Sequence, residues 1–282
     1  MWNLKSEIII YMEEFVTGNI KFSLYGEPVE MEMNVPAKPV KPTRMLPIFQ
    51  AMTNEFLDIG INASLSKGET VSCTKGCGAC CKQPVPISEI EAYQLSELVE
   101  NMPEPKRSEV KEKFARAANR LHEIDWFNRM DNFLKFNATE RQALAMEYFN
   151  QNLDCPFLED ASCSIHQNRP LACREYLVTS PAENCQKPTA ETVKPVKVLF
   201  KLSDVLRKVG LTENMIKQNF VMLVRSLEHA EKYPNILAEK TGEEWMAEFF
   251  QNIKLDEYAA PKAAKTFQKP RKARHIKVKG KR

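Results

Sequence analysis

Apolar and polar residues alternate with period two over residues 19–35. Ile20, Phe22 and Leu24 fall on one face of a first strand, and Val29, Met31, Met33 and Val35 on one face of a second. Gly26-Glu27-Pro28 sits between them as a turn, so the segment predicts a β-hairpin. Pro36, Pro39 and Pro42 then mark an extended connector. From residue 46 the period lengthens. Phe49, Met52, Phe56, Leu57 and Ile59 predict a helix over 46–66, although Gly60 weakens it. Ser88 and Glu91 have the spacing of a capping box, and Leu95, Leu98, Val99 and Met102 continue it at helical intervals. Pro103 and Pro105 end that helix and open another over 106–123. Thr139 and Gln142 repeat the capping spacing ahead of a helix to about residue 151.

Beyond residue 185 the pattern reads as helical throughout. Val198, Leu199, Leu202, Val205, Leu206 and Val209 form one stripe, ended by Gly210. Ile216, Phe220, Leu223, Val224 and Leu227 form a second, and Thr241 and Glu244 cap a third that carries Trp245, Phe249 and Ile253. The expected class is mostly α, formally α+β through a small N-terminal β-hairpin. Four regions are expected: a hairpin and helix at 1–66, a cysteine-rich domain at 67–190, a helical segment at 191–258 and a basic, disordered tail at 259–282.

Composition sharpens this reading in two places. The 282 residues are 43% apolar and 27% charged, as in an ordinary globular protein. The formal charge of +3 averages two unlike parts. Residues 261–282 hold ten Lys or Arg and no acid, leaving 30 basic against 37 acidic residues, a net of −7, elsewhere. Such a tail can bind polyanions by counterion release, with RNA or DNA the candidate partner of 259–282; the alternative is a solvated tail that serves solubility alone. Phe267 and His275 add two rings that can stack on bases. No run of 18 apolar residues exists, so no transmembrane segment is expected. The short run Ile8-Ile9-Ile10-Tyr11 is flanked by Glu7, Glu13 and Glu14, unlike the core of a signal peptide, and a cytoplasmic location is expected. The nine glycines match neither the dinucleotide nor the P-loop pattern.

The second place is cysteine. Cys73, Cys77, Cys80, Cys81, Cys155, Cys163, Cys173 and Cys185 all fall within 113 residues. In a reducing compartment clustered cysteines read as metal ligands rather than disulfides. Two loop-borne groups must meet: Cys73-Thr74-Lys75-Gly76-Cys77-Gly78-Ala79-Cys80-Cys81, and the stretch from Cys155-Pro156-Phe157-Leu158 through Cys163 to Arg169-Pro170-Leu171-Ala172-Cys173-Arg174. Gly76 and Gly78 allow the first to curl. Four thiolates suit tetrahedral zinc or an iron–sulfur cluster, of the 4Fe–4S type on this ligand count, and eight thiols suffice for two such centres. In extended backbone Cys80 and Cys81 point to opposite sides, so a single ion does not readily use both. The lack of paired CxxC knuckles tilts the reading toward iron–sulfur. Lys75, Lys82, Arg169 and Arg174 are candidates to balance the thiolate charge. His166 is a lesser ligand candidate, and Cys185 the least certain of the eight thiols.

These residues resemble a known family, the cysteine-cluster domains named for CxxCxxCC and described as zinc- or iron-chelating. The likeness covers about residues 70–180 and rests on Cys80-Cys81, Cys155-Pro156-Phe157-Leu158, Cys163, and Arg169-Pro170 before Cys173-Arg174. Three features depart from the pattern: three residues separate Cys73 from Cys77, His166 stands where an aromatic is expected, and Cys185 lies beyond the core motif. The resemblance implies metal or iron–sulfur binding; the role expected for the centre is structural or electron-transferring. Some flagellin lysine methylases carry a similar cluster, so a protein-modifying enzyme such as a lysine N-methylase-like protein is a contrasting reading. A nucleic-acid-associated module with structural zinc is another. Cys73-x3-Cys77-x2-Cys80 also has the spacing of radical S-adenosylmethionine enzymes, but Ala79, the extra Cys81 and the absence of a following strand–helix alternation argue against that class.

Overall fold

The computed structural model describes residues 14–24, 27–198, 201–216, 218–253 and 266–267. Strands β1 (Phe15–Leu24) and β2 (Glu27–Pro36) pair antiparallel, with Val16 opposite Val35 and Gly18 opposite Met33. Met33 and Val35 are buried, as the alternation requires. The turn residue Gly26 lies outside the described residues. Next come α1 (Leu46–Leu65), the short strand β3 (Pro86–Ile87), α2 (Glu89–Glu100), α3 (Lys106–Glu123), α4 (Trp126–Met130) and α5 (Ala138–Asn150). Strands β4 (Leu158–Glu159) and β5 (Ser162–Cys163) form a minimal hairpin, followed by α6 (Leu171–Glu175), α7 (Leu202–Leu206), β6 (Val221–Met222), α8 (Ser226–Lys232) and α9 (Gly242–Gln251). The two described residues of the tail form β7 (Thr266–Phe267), paired antiparallel to β1; the expectation of disorder over 259–282 otherwise falls outside the described residues.

The chain divides into two compact units. One comprises Met1–Lys41 with Glu239–Arg282 and contains the hairpin and α9, whose Thr241–Glu244 capping box is formed as the sequence predicts. The other, Pro42–Ala238, holds every cysteine. Its helix α1 continues through Gly60, because a Cβ there would stand 2.9 Å from the Lys197 carbonyl oxygen: the glycine admits a neighbouring chain segment rather than ending the helix.

Two apolar clusters organise the second unit. Ile87, Leu95, Val99, Phe114, Phe157 and Ile165 belong to the first, with Cys155, Cys163 and Cys173 packed against it. Trp126, Leu144 and Tyr148 belong to the second, where Trp126 Nε1 donates to the Leu144 carbonyl at 2.9 Å. Among the described residues no helix is long and apolar enough to cross a membrane.

Two sequence expectations are corrected. Helix α5 is capped by Asn137 with Glu140, two positions before the predicted Thr139–Gln142 pair. The helical stripes over 198–227 are mostly not helices. Among the described residues of this span, only Leu202–Leu206 and the stretch from Ser226 are α-helical, and Val221–Met222 pairs antiparallel with Pro86–Ile87. Ile216, placed on a buried face by periodicity, is 68% exposed.

Candidate metal centre

The first cysteine group lies in a loop that turns twice. Gly76 takes φ +92°, Cys77 N–H bonds the Thr74 carbonyl at 3.0 Å, and Cys81 N–H bonds the Gly78 carbonyl at 2.9 Å. A Cβ on Gly78 would fall 2.5 Å from the Ala161 carbonyl oxygen and 2.5 Å from Leu158 Cδ1, so only glycine lets this loop lie on the β4–β5 hairpin. That hairpin turns through Asp160 (φ 46°) and Ala161 (φ 57°), both left-handed as a two-residue turn with right-handed strand twist demands. Cys163 ends β5, so Gly78 and the hairpin together bring it toward the loop.

The second group is fixed by its own motif. Phe157 is 1% exposed and meets Phe114 edge-on at 5.3 Å, anchoring Cys155-Pro156-Phe157 to α3. Cys155 N–H donates to the Cys81 carbonyl at 2.7 Å, and Ser72 N–H to Val178 at 2.9 Å, so the two groups are tied through main-chain bonds. Arg174, 8% exposed, donates from Nε to the Arg169 carbonyl at 3.0 Å, from Nη2 to the Gln167 carbonyl, and from Nη1 to Asn54 Oδ1 at 3.3 Å. It holds the Arg169-Pro170 turn that precedes Cys173. Glu91, 1% exposed, reaches from the first turn of α2 to accept the Leu171 N–H at 2.8 Å, fixing the start of α6.

Six of the eight thiols converge. Cys77, Cys80, Cys81, Cys155, Cys163 and Cys173 line one cavity of about 250 Å³, as does Arg169. Cys73 and Cys185 are not among the residues lining it. The Cys73 sulfur accepts the Val178 N–H at 3.4 Å; Cys185 is buried, its thiol hydrogen-bonded with Tyr176 and its carbonyl accepting from Gln83 Nε2 at 3.2 Å. All eight are free thiols. Among the described residues no three of His, Cys, Asp and Glu stand close enough to share one ion, so the convergence stops short of ligation geometry.

A hydrogen bond to Cys81, then burial, pushes the Cys80 thiol up. Burial pushes Cys155 up to about 12 and Cys173 well above the usual thiol range. Opposing this, the amides of Phe157 and Ile165 hydrogen-bond the Cys155 and Cys163 sulfurs, and the Arg169 charge favours the thiolates of Cys73, Cys80 and Cys163. Amide donors, a nearby cation and six soft sulfurs on one wall are a donor set suited to a thiophilic metal.

The other predicted residues fall elsewhere. Lys82 bonds Asn152 Oδ1 at 3.1 Å and Asp154 at 3.3 Å, bracing the approach to Cys155. Lys75 and His166 are exposed. Sequence reasoning missed Glu91 as a support of the site, although its capping-box position was visible, and it missed Gly78's steric role. It also missed Lys201, Ser203 and Arg207, which line the cavity from beyond the cysteine motifs.

Residues 72–194 match the family model CxxCxxCC, described as "putative zinc- or iron-chelating domain", a span that includes all eight cysteines. No curated protein and no solved structure matches the chain.

Proposed function

We propose that this is a metal-binding protein whose centre is held by cysteine thiolates of the 72–194 domain, an iron–sulfur centre in preference to zinc, with a structural or electron-transferring role. One observation carries the reading: six thiols from two distant segments share one cavity. Its volume of about 250 Å³ compares with about 30 Å³ for a water molecule in the liquid, which favours a multi-atom centre over a lone ion. Cys77, Cys80, Cys81, Cys155, Cys163 and Cys173 are the principal candidate ligands, with Cys73 and Cys185 as further ones. An iron–sulfur centre supplies reversible one-electron transfer when bound. The protein's own contribution is positional. Arg169 offsets thiolate charge, Arg174 and Glu91 hold the turn before Cys173, and the Phe157 and Ile165 amides favour ionised sulfur. Cysteine ligation of this kind suits a reducing, cytoplasmic setting.

Anaerobic purification with metal and sulfide analysis and a visible spectrum tests this. Iron with acid-labile sulfide and a broad visible absorption is expected. Colourless protein with stoichiometric zinc replaces the iron–sulfur part, and protein free of both metals overturns the whole reading.

The ten basic residues of 261–282, with no acid among them, support a polyanion such as RNA or DNA as partner of the tail.

A further inference from the structure

A buried carboxylate and a buried imidazole meet away from the cysteines, where α2 packs on α8. Glu89, in the first turn of α2, accepts the Thr212 hydroxyl on Oε2 at 2.8 Å. Its Oε1 stands 3.3 Å from the Tyr93 hydroxyl and 3.2 Å from His229 Nε2. Tyr93 and Tyr233 flank the imidazole, with ring centres 5.8 Å and 5.0 Å from it. A carboxylate only accepts hydrogen bonds, so His229 meets it with Nε2–H and the ring's lone pair lies on Nδ1. A carboxylate that holds one ring nitrogen fixes the direction of the other.

That other nitrogen has no partner. Nδ1 makes no hydrogen bond among the described residues, and it keeps accessible surface. His229 lines a cavity of about 190 Å³ together with Phe127, Met130 and Phe220. Pockets for drug-sized molecules begin at about 300 Å³, so this one suits a molecule of few carbons. Lys232 lines it as well and lies three residues beyond His229, on the same face of α8. Its ammonium sits over the Tyr233 ring at 5.2 Å and has no carboxylate partner among the described residues. The remaining cation of the wall is engaged, since Arg225 pairs with Glu228 at 3.2 Å and Asp131 at 3.5 Å. One wall therefore offers a lone-pair acceptor beside a cation that lacks a counter-charge.

We propose that this cavity binds a small hydroxycarboxylic acid, whose hydroxyl donates to His229 Nδ1 and whose carboxylate pairs with Lys232. The site uses none of the cysteines, so it stands or falls independently of the metal centre.

The test titrates the full chain, as purified, with three probes at constant ionic strength in mildly alkaline buffer. Lactate carries both groups, propionate lacks the hydroxyl and 2-propanol lacks the carboxylate. The reporter is the 15N resonance of His229 Nδ1, assigned by its disappearance in His229→Gln. Should that variant fail to fold, Gln substitution of His122, His166 and His275 in turn leaves the His229 signal as the one that persists, because the chain has four histidines. Before titration the ring proton should sit on Nε2. Lactate should then shift Nδ1 saturably, and propionate and 2-propanol should bind about tenfold more weakly or worse, the worth of one hydrogen bond. Lys232→Gln, a change at an exposed position, should weaken lactate by about threefold. A ring proton on Nδ1, a resonance that lactate leaves unmoved, equal affinity for lactate and propionate, or wild-type affinity in Lys232→Gln each overturns the proposal, and the first two leave His229 as a packing residue that joins α2 to α8.

Discussion

Glu91 offers the sharpest test of how the fold supports the cysteine site. Its Oε2 accepts from the Ser88 N–H and hydroxyl, each at 2.8 Å, and its Oε1 accepts from Leu171 N–H at 2.8 Å. Ser88→Ala removes the cap of α2 alone and should cost about 1 kcal/mol. Glu91→Ala removes the same box and also strands the Leu171 N–H in the interior, a further ~1–3 kcal/mol, so its total should be about 2–4 kcal/mol. Urea unfolding of the two variants, in chelator so that metal does not enter, measures the difference. Leu171 begins the helix that carries Cys173, so Glu91→Ala should also lose metal to a competing chelator faster than Ser88→Ala. Burial raises the Glu91 carboxyl pKa above the ordinary carboxylate value. A raised folded-state pKa stabilises most at low pH and loses that contribution as pH climbs through it. The gap between wild type and Glu91→Ala should therefore be widest in acid and narrow with rising pH. Equal losses in the two variants, or a gap that widens with pH, would refute the reasoning.

Three further outcomes are expected. Gly78→Ala, which drives a Cβ against the rigid Ala161 carbonyl, should cost about 1–3 kcal/mol and lower metal per chain; wild-type metal content would show that the loop does not need this close approach. Ala161→Gly relieves a left-handed alanine in the β4–β5 turn and should raise stability by about 0.5–1 kcal/mol with metal content unchanged, read from the urea midpoint. Deleting residues 259–282 should abolish salt-dependent retention on immobilised RNA or DNA, and unchanged retention would remove the tail as the contact.

The elements legible in the sequence are those whose signals are local. Helices α2 and α9 announce themselves through side chains that cap their own first turn, Ser88 with Glu91 and Thr241 with Glu244. Helix α5 shows the limit of that signal. Asn137–Glu140 and Thr139–Gln142 both have the required spacing, and the structure uses the pair with the stronger cap and a carboxylate at the positive helix end. Residues 198–227 were misread because apolar spacings of three and four also arise where an irregular chain crosses two cores. Phe220 and Met222 face one cluster and Val221 and Leu223 the other. Pairing of Val221–Met222 with Pro86–Ile87 spans over a hundred residues and leaves no local trace. At the site, the cysteines and Arg169 were visible by type and spacing. Arg207 was not, since one arginine after a short helix carries no pattern that sets it apart.

The bond between Cys155 N–H and the Cys81 carbonyl has a consequence for how this domain can change. The 73 residues between those cysteines, including α2 to α5, leave and return at one point, so much of the second unit is an excursion with a fixed doorway. Flexible connections within such an excursion lengthen at little free-energy cost, about 0.6 kcal/mol for each doubling. Natural variation and engineered insertions should therefore be tolerated best in the exposed connections between α3 and α5, which can grow or shrink without altering the spacing inside either cysteine motif. The excursion is where this architecture has room to diversify, and the doorway is where it does not.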